Sequence, residues 1–392
     1  MRGMRQLNVA LIGAGIAGLT AARALQTHGC RVRVYEQAPE LGEVGAGLTI
    51  SPNATHVLNA LGLRLTLETI GMRPSRGGVK HWRSGETMVE ILRGQEMLDR
   101  YGAAYYQVHR ADLHAALAAL VLAADPQALL LGHKFVEVRE GTDGIEARFA
   151  NGTTVTADVL IGADGARSPV RTQVFGASQP RFTGYIAYRG LVATADLPAG
   201  LLEPSSCISI GPGHTFTRYL IRGGQTVNYV GLAERDDWRE EGWSIRSSVE
   251  ELLAEFAGWH EGVRAIIRAT PAQSVFKWAL FDRDPLPAWT RGCVTLIGDA
   301  AHPMLPFLGQ GAAMGIEDGL VLARAFAESD SVDEALQRYE TARRARTTYV
   351  MLKSRETARS YHGADPDNYA AERHISAESL GLMSYNPAAV PV

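Results

Sequence analysis

The first forty residues alternate between short apolar runs and one helix-forming stretch. Residues 7–12 are apolar at all but one position and end at a glycine, which predicts a buried parallel strand. Residues 17–26 are rich in helix formers, and residues 31–36 alternate between polar and apolar positions as a second strand does. This succession of strand, helix and strand predicts the opening of a doubly wound parallel sheet.

Glycine-rich turns and further elements follow. Residues 42–53 are turn-rich, and this glycine density indicates backbone that lies close to a ligand. Helices are predicted over 54–61 and 110–124, and strands over 129–138, 144–149 and 157–161.

The pattern changes at about residue 182. From there to residue 233, alternating aromatic and β-branched segments are separated by glycine turns, which predicts an antiparallel sheet. A strand over 292–297 then returns to the first domain, and helical patterns fill 311–326 and 332–361. The predicted fold class is α/β, with a Rossmann-like domain, an inserted antiparallel-sheet substrate domain and C-terminal helices. The predicted divisions are 1–180 for the first part of the Rossmann-like domain, 181–285 for the substrate domain, 286–363 for the return and the C-terminal helices, and 364–392 for a loosely ordered tail.

Composition narrows the classes of partner. The net charge of −3 gives no electrostatic reason to expect nucleic acid or an anionic membrane. No run approaches the roughly 18 apolar residues of a membrane span. The three cysteines, Cys30, Cys207 and Cys293, have no metal-site spacing, so we expect reduced thiols, a cytoplasmic protein and no metal site. A small-molecule enzyme, monomeric or homodimeric, fits this composition.

A glycine fingerprint stands where the first strand meets the first helix. The run from Gly13 through Gly15 to Gly18 permits a tight turn and lets backbone amides approach a pyrophosphate at the helix N-terminus. Glu36 closes the second strand at the spacing expected of a carboxylate that binds a ribose hydroxyl. The fingerprint predicts a dinucleotide but does not separate NAD from FAD.

Two later segments distinguish FAD from NAD. Residues 158–168 (DVLIGADGARS) and residues 294–303 (VTLIGDAAHP) are apolar strands that end in glycine and aspartate. With these three motifs in order over nearly its whole length, the chain resembles the group A flavin monooxygenases. Within them it resembles the branch that holds salicylate hydroxylase, 3-hydroxybenzoate 6-hydroxylase and 6-hydroxynicotinate 3-monooxygenase.

The resemblance implies a bound FAD and a transient NADH or NADPH. It assigns the flavin carboxylate to Asp299, a shared nucleotide role to Asp164 and a position near the FAD to Arg110. A helix N-terminus after residue 306 can face the flavin pyrimidine ring, where reduction places negative charge. The predicted cofactor-binding residues are Gly13, Gly15, Gly18, Glu36, Gly47, Arg110, Asp164, Gly165, Gly298, Asp299, Gly309 and Gly311.

Three residues are the candidate catalytic groups. The resemblance places Tyr219 at a substrate-contacting tyrosine of related hydroxylases, while the related histidine falls on Thr215 and His214 lies one residue earlier. In a regular strand Tyr219 therefore faces the pocket and His214 faces away, unless a bulge intervenes. His302, in the second Gly-Asp segment, lies close to the flavin by the same resemblance, in either a structural or a catalytic role.

Two departures from the related enzymes narrow the substrate. Thr49 stands where the 6-hydroxynicotinate enzymes have a histidine, and Pro306 replaces a polar residue of the 3-hydroxybenzoate enzymes. The expected function is an FAD-dependent monooxygenase that hydroxylates a phenolic or pyridine-type aromatic acid with NAD(P)H and O2 through a flavin hydroperoxide, with or without decarboxylation. The alternatives are a flavin-dependent dehydrogenase or halogenase on the same scaffold, or a nicotinamide dehydrogenase without flavin. The tryptophan-rich motif expected of a halogenase is not found in the sequence.

Overall fold

The structure of the protein is a computed structural model. It describes residues 7–42, 46–141, 144–235, 237–238, 245–363, 365–369 and 375–392. Residues 43–45, within the glycine-rich stretch predicted to approach a ligand, lie outside the described residues.

The elements are numbered in chain order. The strands are β1 Asn8–Ile12, β2 Arg31–Tyr35, β3 Gly47–Ile50, β4 Gly71–Met72, β5 Arg76–His81, β6 Thr87–Leu92, β7 Tyr106–His109, β8 Leu129–Leu130, β9 Phe135–Gly141, β10 Gly144–Phe149, β11 Thr154–Ala157, β12 Val159–Gly162, β13 Arg181–Ala193, β14 Ser206–Gly211, β15 His214–Ile221, β16 Thr226–Glu234, β17 Ile245–Arg246, β18 Phe276–Asp282, β19 Thr290–Arg291 and β20 Val294–Leu296. The α-helices are α1 Ile16–Thr27, α2 Pro52–Ala60, α3 Arg64–Ile70, α4 Gln95–Tyr101, α5 Arg110–Ala124, α6 Pro169–Phe175, α7 Val249–Glu255, α8 Glu261–Arg268, α9 Gly311–Ala327 and α10 Val332–Gly363.

The first layer is a six-stranded sheet in the order β19-β20-β12-β1-β2-β8. Strand β1 pairs in parallel with β2 on one side and β12 on the other, and β12 pairs in parallel with β20. These strands carry nearly continuous apolar residues because helices cover both faces of such a sheet. The predicted Rossmann-like domain is confirmed, and the parallel order brings the ends of β1, β12 and β20 to one edge.

Helix α9 lies against helix α1 through small residues. A Cβ atom added at Gly298 would lie 2.8 Å from the Cβ of Ala17, and one added at Gly315 would lie 2.9 Å from it. One turn further, a Cβ at Gly319 would lie 2.8 Å from the backbone nitrogen of Ala21. The absence of side chains at these glycines lets the helix after the third motif pack directly on the helix of the first.

The second layer is an eight-stranded sheet in the order β17-β18-β13-β16-β15-β14-β5-β6. The predicted antiparallel substrate sheet is present, with β13 to β16 at its centre. Strands β5 and β6 precede the insertion in the chain, and β5 pairs in parallel with β14. The predicted division at residue 180 did not anticipate them. This stretch lacks a long alternating pattern, and two glycines, Gly77 and Gly78, follow the first residue of β5.

The C-terminal residues depart from the prediction of a loosely ordered tail. Leu382 and Met383 are buried in the main core. The Arg324 guanidinium donates to the carbonyl of Val390 at 2.7 Å, and that of Arg338 donates to the carbonyl of Val392 at 2.8 Å. Too few apolar residues lie here to form a periodic pattern, yet those present pack between the helices. Among the described residues, no helix has both the length and the apolar character needed to cross a membrane.

Candidate functional site

The first glycine turn is shaped for close backbone approach. Gly13 has a φ of +105°, and a Cβ there would lie 2.5 Å from the carbonyl oxygen of Ala163. A Cβ at Gly18 would lie 2.1 Å from the carbonyl oxygen of Gly13, whereas one at Gly15 would meet nothing within 4 Å. Gly13 and Gly18 therefore allow the chain to pack, and Gly15 leaves the N-terminus of α1 open to a phosphate.

Glu36 braces this turn from the end of β2. Its Oε2 accepts a hydrogen bond from the Ala14 amide at 2.8 Å, and its Oε1 accepts one from the Ala38 amide at 2.9 Å. Each carboxylate oxygen has a second lone pair. The half-buried side chain can thus hold the turn and still accept a ribose hydroxyl, as the sequence predicts.

The second motif follows β12. Asp164 Oδ2 accepts from the Val170 amide at 3.0 Å, and burial raises the pKa of this carboxyl. Gly165 has a φ of +80° with open space beside it. Arg171, which the sequence reading missed, donates to the carbonyls of Ala166 at 2.5 Å and Ala300 at 2.9 Å. Burial lowers the pKa of Arg171 to about 10, so it remains charged at neutral pH. It ties the second motif to the third.

The third motif presents Asp299 to the outside of the turn. Gly298 and Ala300 are buried, whereas Asp299 is exposed between them. Its carboxylate can accept hydrogen bonds from a polyhydroxyl chain such as a ribityl group. The Gly298 amide donates to Asp318 Oδ2 at 2.9 Å, which fixes the backbone behind the exposed carboxylate.

His302 lies behind this turn rather than at its surface. It is fully buried, its Nε2 donates to Asp318 Oδ2 at 2.5 Å, and its ring centroid lies 5.2 Å from that of Trp289. Of the two roles that the sequence left open for His302, this geometry fits the structural one, since the ring holds Asp318 and the Gly298 turn in place.

A buried ionic cluster supports the third motif from α9 and α10. Arg343 donates to Asp318 Oδ1 at 2.8 Å and to Glu317 Oε2 at 2.5 Å, and all three side chains are fully buried. Burial alone would raise the pKa of Asp318, but the charges of His302 and Arg343 lower it to about 2. Two adjacent acidic residues in an otherwise apolar helix are the sequence signal that could have revealed this cluster, because buried acids are almost always paired.

The turn before α9 joins the site to the start of α2. Gly309 has a φ of +62°, and Thr49 Oγ1 donates to its carbonyl at 3.3 Å. Gln310 donates to Ser51 Oγ at 3.0 Å and accepts from Asn53 at 3.1 Å. Helix α9 then begins at Gly311, so its N-terminal amides face the same edge as the three motifs.

Gly47, the first residue of β3, contacts the substrate sheet. Its amide donates to Asn228 Oδ1 at 2.7 Å, and a Cβ there would lie 2.7 Å from the Tyr219 hydroxyl oxygen. The Arg110 amide donates to the neighbouring Ala46 carbonyl at 2.8 Å. The structure thus brings the predicted cofactor residue Gly47 next to the predicted substrate residue Tyr219, and it ties Arg110 to the residue before Gly47. Asn228 was not predicted, since one asparagine within a strand gives no sequence signal of a binding role.

Tyr219 lies on the face of the substrate sheet that meets Gly47. Strand β15 pairs with β16 without a register shift from His214 to Ile221, so Thr215 and Tyr219 share one face. Burial raises the pKa of Tyr219 far above its ordinary value, which keeps the phenol protonated as a hydrogen-bond donor. Thr215 Oγ1 is buried and has no hydrogen-bond partner within the described part of the chain.

His214 lies on the opposite face. Its Nε2 donates to Glu255 Oε1 at 2.7 Å, and its Nδ1 donates to the Pro212 carbonyl at 2.9 Å. Burial lowers the pKa of His214, but these hydrogen bonds and the Glu255 charge outweigh burial, so the pKa is raised overall. The regular strand contains no bulge that would turn His214 into the pocket, so its predicted role as a base has no support in this geometry.

Comparison with known proteins identifies the family. The sequence profile described as FAD binding domain matches residues 6–354. The 3-amino-4-hydroxybenzoate 2-monooxygenase of Streptomyces cremeus is 39% identical over 92% of this chain and 89% of its own length. The 6-hydroxynicotinate 3-monooxygenase of Pseudomonas fluorescens is 36% identical over 91% of this chain and 93% of its own.

Solved structures agree with the sequence relatives. The crystal structure of Klebsiella pneumoniae HpxO complexed with FAD and uric acid matches with a TM-score of 0.85 and 27% identity, over 97% of each chain. The N-terminus of α1, left open beside Gly15, and the exposed Asp299 fit an FAD. The chain therefore belongs to the group A FAD-dependent aromatic hydroxylases, and it is an FAD-dependent aromatic monooxygenase.

Proposed function

We propose that this enzyme hydroxylates the ring of a phenolic aromatic acid with O2 and electrons from NADH or NADPH. The observation that carries the proposal is the contact of Gly47 with Tyr219, which sets a protonated phenol from the substrate sheet beside the cofactor turns. The similarity to a monooxygenase of an amino-hydroxybenzoate supports a ring that bears a carboxylate and a hydroxyl group.

The cofactor residues divide the FAD between them. FAD, when bound, supplies the redox chemistry that activates dioxygen. The first motif and Glu36 would hold the adenosine diphosphate half, and Asp299 would bind the ribityl chain. Arg110, Gly47 and the turn before α9 would bind the ring end. The proposed cofactor set is Gly13, Gly15, Gly18, Glu36, Gly47, Arg110, Asp164, Gly165, Gly298, Asp299, Gly309 and Gly311.

The substrate face orients the ring and excludes water. Tyr219 donates a hydrogen bond to a substrate oxygen, and the buried Thr215 hydroxyl provides a second polar contact. Val230, Leu232 and Phe307 pack together beside these groups as apolar neighbours. Orientation and dryness are the protein's part of the reaction, because water in the site would uncouple electron transfer from hydroxylation.

Thr49 favours a phenolic over a pyridine substrate. Thr49 donates to the Gly309 carbonyl, and it lacks the ionisable ring that the resemblance implies at this position in the 6-hydroxynicotinate enzymes. Ionisation of a phenol can instead be favoured by the Tyr219 hydroxyl, which donates to an oxygen anion.

The donor, the assembly and the compartment complete the proposal. The sequence holds one glycine fingerprint in strand-helix context, so the nicotinamide donor binds transiently.

We propose a monomer or homodimer in the cytoplasm. The free cysteines support a reducing compartment, and burial raises the pKa of Cys30 to about 11, which keeps that thiol unreactive.

The test is a coupled-turnover screen on purified yellow protein. Denaturation should release FAD, and NAD(P)H oxidation should be stimulated by 3-amino-4-hydroxybenzoate, 3-hydroxybenzoate or salicylate more than by 6-hydroxynicotinate. Mass spectrometry should find a product that has gained one oxygen atom, with or without loss of the carboxyl group. Release of FMN alone, or oxidation that yields only hydrogen peroxide with every acid, would contradict the proposal.

A further inference from the structure

Glu317 joins α9 to buried polar side chains on both α10 and α2. Its carboxylate is fully buried. Oε1 accepts from Asn53 Nδ2 at 2.6 Å, and Oε2 accepts from Arg343. Arg346 donates to both oxygens, through Nη2 to Oε1 at 2.9 Å and through Nε to Oε2 at 2.9 Å. Glu317 therefore connects two cations of α10 to the first turn of α2.

Asn53 connects Glu317 to the turn before α9. Its Nδ2 also donates to Gln310 Oε1 at 3.1 Å, and its Oδ1 accepts from Ser51 Oγ at 2.6 Å. Gln310 Nε2 donates to Ser51 Oγ at 3.0 Å, which closes a ring of buried hydrogen bonds. Neither amide can turn without facing an NH2 group to a donor. The Gln310 carbonyl accepts from the Met314 amide at 2.9 Å, so this ring of hydrogen bonds fixes the start of α9.

The C-terminal segment, residues 375–392, holds Arg346 from two positions. The ring centroid of Tyr385 lies 3.9 Å from the Arg346 guanidinium carbon, whereas that of Arg343 is further away, at 5.5 Å. The Leu382 carbonyl accepts from Arg346 Nη2 at 3.0 Å. A guanidinium that stacks on a ring and donates to a carbonyl has little freedom to rotate, which keeps its planar fork aligned with the carboxylate.

We propose that the C-terminal segment positions the flavin-ring end of the FAD site. Tyr385 holds Arg346 in the orientation that binds Glu317. Through Asn53, Glu317 then fixes Gln310 and the first turn of α9. The inference rests on the proposed function, in which the turn before α9 would bind the ring end of the FAD. Tyr385 and Arg346 are positioning residues, because they act through other side chains.

The position of α9 matters for the redox properties of the cofactor. The first turn of a helix favours negative charge, because its free amides form the positive end of the helix dipole. Reduction places negative charge on the pyrimidine ring of a flavin, so a fixed α9 N-terminus would bind reduced FAD more tightly than oxidised FAD. A turn that is free to shift would lose part of this preference. The C-terminal segment would therefore raise the reduction potential of bound FAD.

The reduction potential of bound FAD tests this role without substrate. It would be measured by equilibrium titration against a redox dye, on FAD-loaded variants of the whole chain. Tyr385→Leu and Arg346→Gln should weaken the preference for reduced FAD about 2- to 5-fold, the usual range for a helix terminus that acts on a nearby charge. For a two-electron couple this lowers the potential by about 10 to 20 mV. Tyr385→Phe keeps the ring and should keep the wild-type potential.

A control variant separates this role from simple docking of the C-terminal segment. Arg324 also holds the segment, because it donates to two of its carbonyls at 2.8 and 2.7 Å. Among the described residues, its hydrogen bonds do not reach Glu317. Arg324→Gln should lower the Tm and leave the potential unchanged. An equal potential shift in Arg324→Gln would overturn the inference, and so would a wild-type potential in both Tyr385→Leu and Arg346→Gln.

A double variant tests whether the effect passes through Asn53. In an Asn53→Ala background, Tyr385→Leu should add no further shift, because both changes act through Gln310. A double variant that shows the sum of the two single shifts would contradict this connection. The comparison of Tyr385→Leu with Tyr385→Phe decides alone if Arg346→Gln or Asn53→Ala loses FAD. Failure of the proposed function would look different, because every acid would leave NAD(P)H oxidation unstimulated while the potentials, measured without acid, stood.

Discussion

Replacing Asp318 with asparagine should weaken both the fold and the FAD site. Asp318 accepts from Arg343 through Oδ1 and from Gly298 and His302 through Oδ2, so both oxygens face donors. An asparagine of the same shape has one oxygen and one NH2 group. Whichever way the amide turns, its NH2 group faces a donor, and a buried group loses its hydrogen bond.

The expected loss of stability follows from the burial and the lowered pKa of Asp318. Compared with an ordinary aspartate pKa of about 3.9, a folded-state pKa of about 2 corresponds to roughly 2 to 3 kcal/mol of stability at neutral pH. Because the folded pKa is depressed, this stability is present above about pH 4 and is lost as the pH falls through about 2. At a typical unfolding entropy per residue, each kcal/mol of lost unfolding free energy lowers the Tm of a chain of this length by roughly 1 °C.

The assay is thermal unfolding at pH 7 together with FAD retention during gel filtration. Asp318→Asn should lower the Tm by roughly 2 to 4 °C and the FAD affinity by about tenfold, since the Gly298 turn behind Asp299 loses its anchor. The control is Asp333→Asn, an exposed aspartate on α10 that accepts only from Gln337 among the described residues. The reasoning is refuted if Asp318→Asn matches the wild type in both Tm and FAD content.

Three further predictions concern the motif and the two faces of β15. Asp299→Ala should reduce FAD affinity by about 10- to 100-fold with little change in Tm of the FAD-free protein, measured by flavin fluorescence at limiting FAD; full occupancy would remove Asp299 from the site. Tyr219→Phe should keep FAD but lose product and increase the yield of peroxide, and unchanged coupling would contradict its role. His214→Gln should destabilise the protein at pH 6, because a raised folded pKa gives stability that is present below about pH 6.5 and lost as the pH rises through the raised value; a shifted pH–rate profile in this variant would instead restore His214 as a base.

The cofactor half of the molecule could be predicted because local sequence determines it. The tight turn needs a positive φ at Gly13 and a close approach of the backbone at Gly18. Glycine meets both needs, so the sequence itself reveals the turn. The apolar run of β1 and the carboxylate of Glu36 stand at spacings that the βαβ geometry requires. The same holds for Tyr219, since strand alternation alone places it on one face and His214 on the other.

What the sequence did not predict depends on contacts between distant residues. Arg171 reaches Ala300 across 129 positions, and Arg343 reaches Asp318 across 25. Neither arginine differs from a surface arginine in composition or spacing. The membership of strands β5 and β6 in the substrate sheet was not predicted for a similar reason. Strand β5 pairs with β14 through backbone hydrogen bonds, which leave no side-chain pattern in the sequence.

The contacts separate cofactor binding from substrate choice. Arg171 and Asp318 fix the turns after β12 and β20 from behind, through buried side chains whose hydrogen bonds, among the described residues, do not reach the substrate sheet. The substrate sheet contacts the predicted cofactor side at Gly47. The Gly47 amide donates to Asn228, and the lack of a Cβ at Gly47 leaves room for the Tyr219 side chain. Side chains further along the same face, such as Thr215, can therefore change with the shape of the ring while the FAD site is preserved.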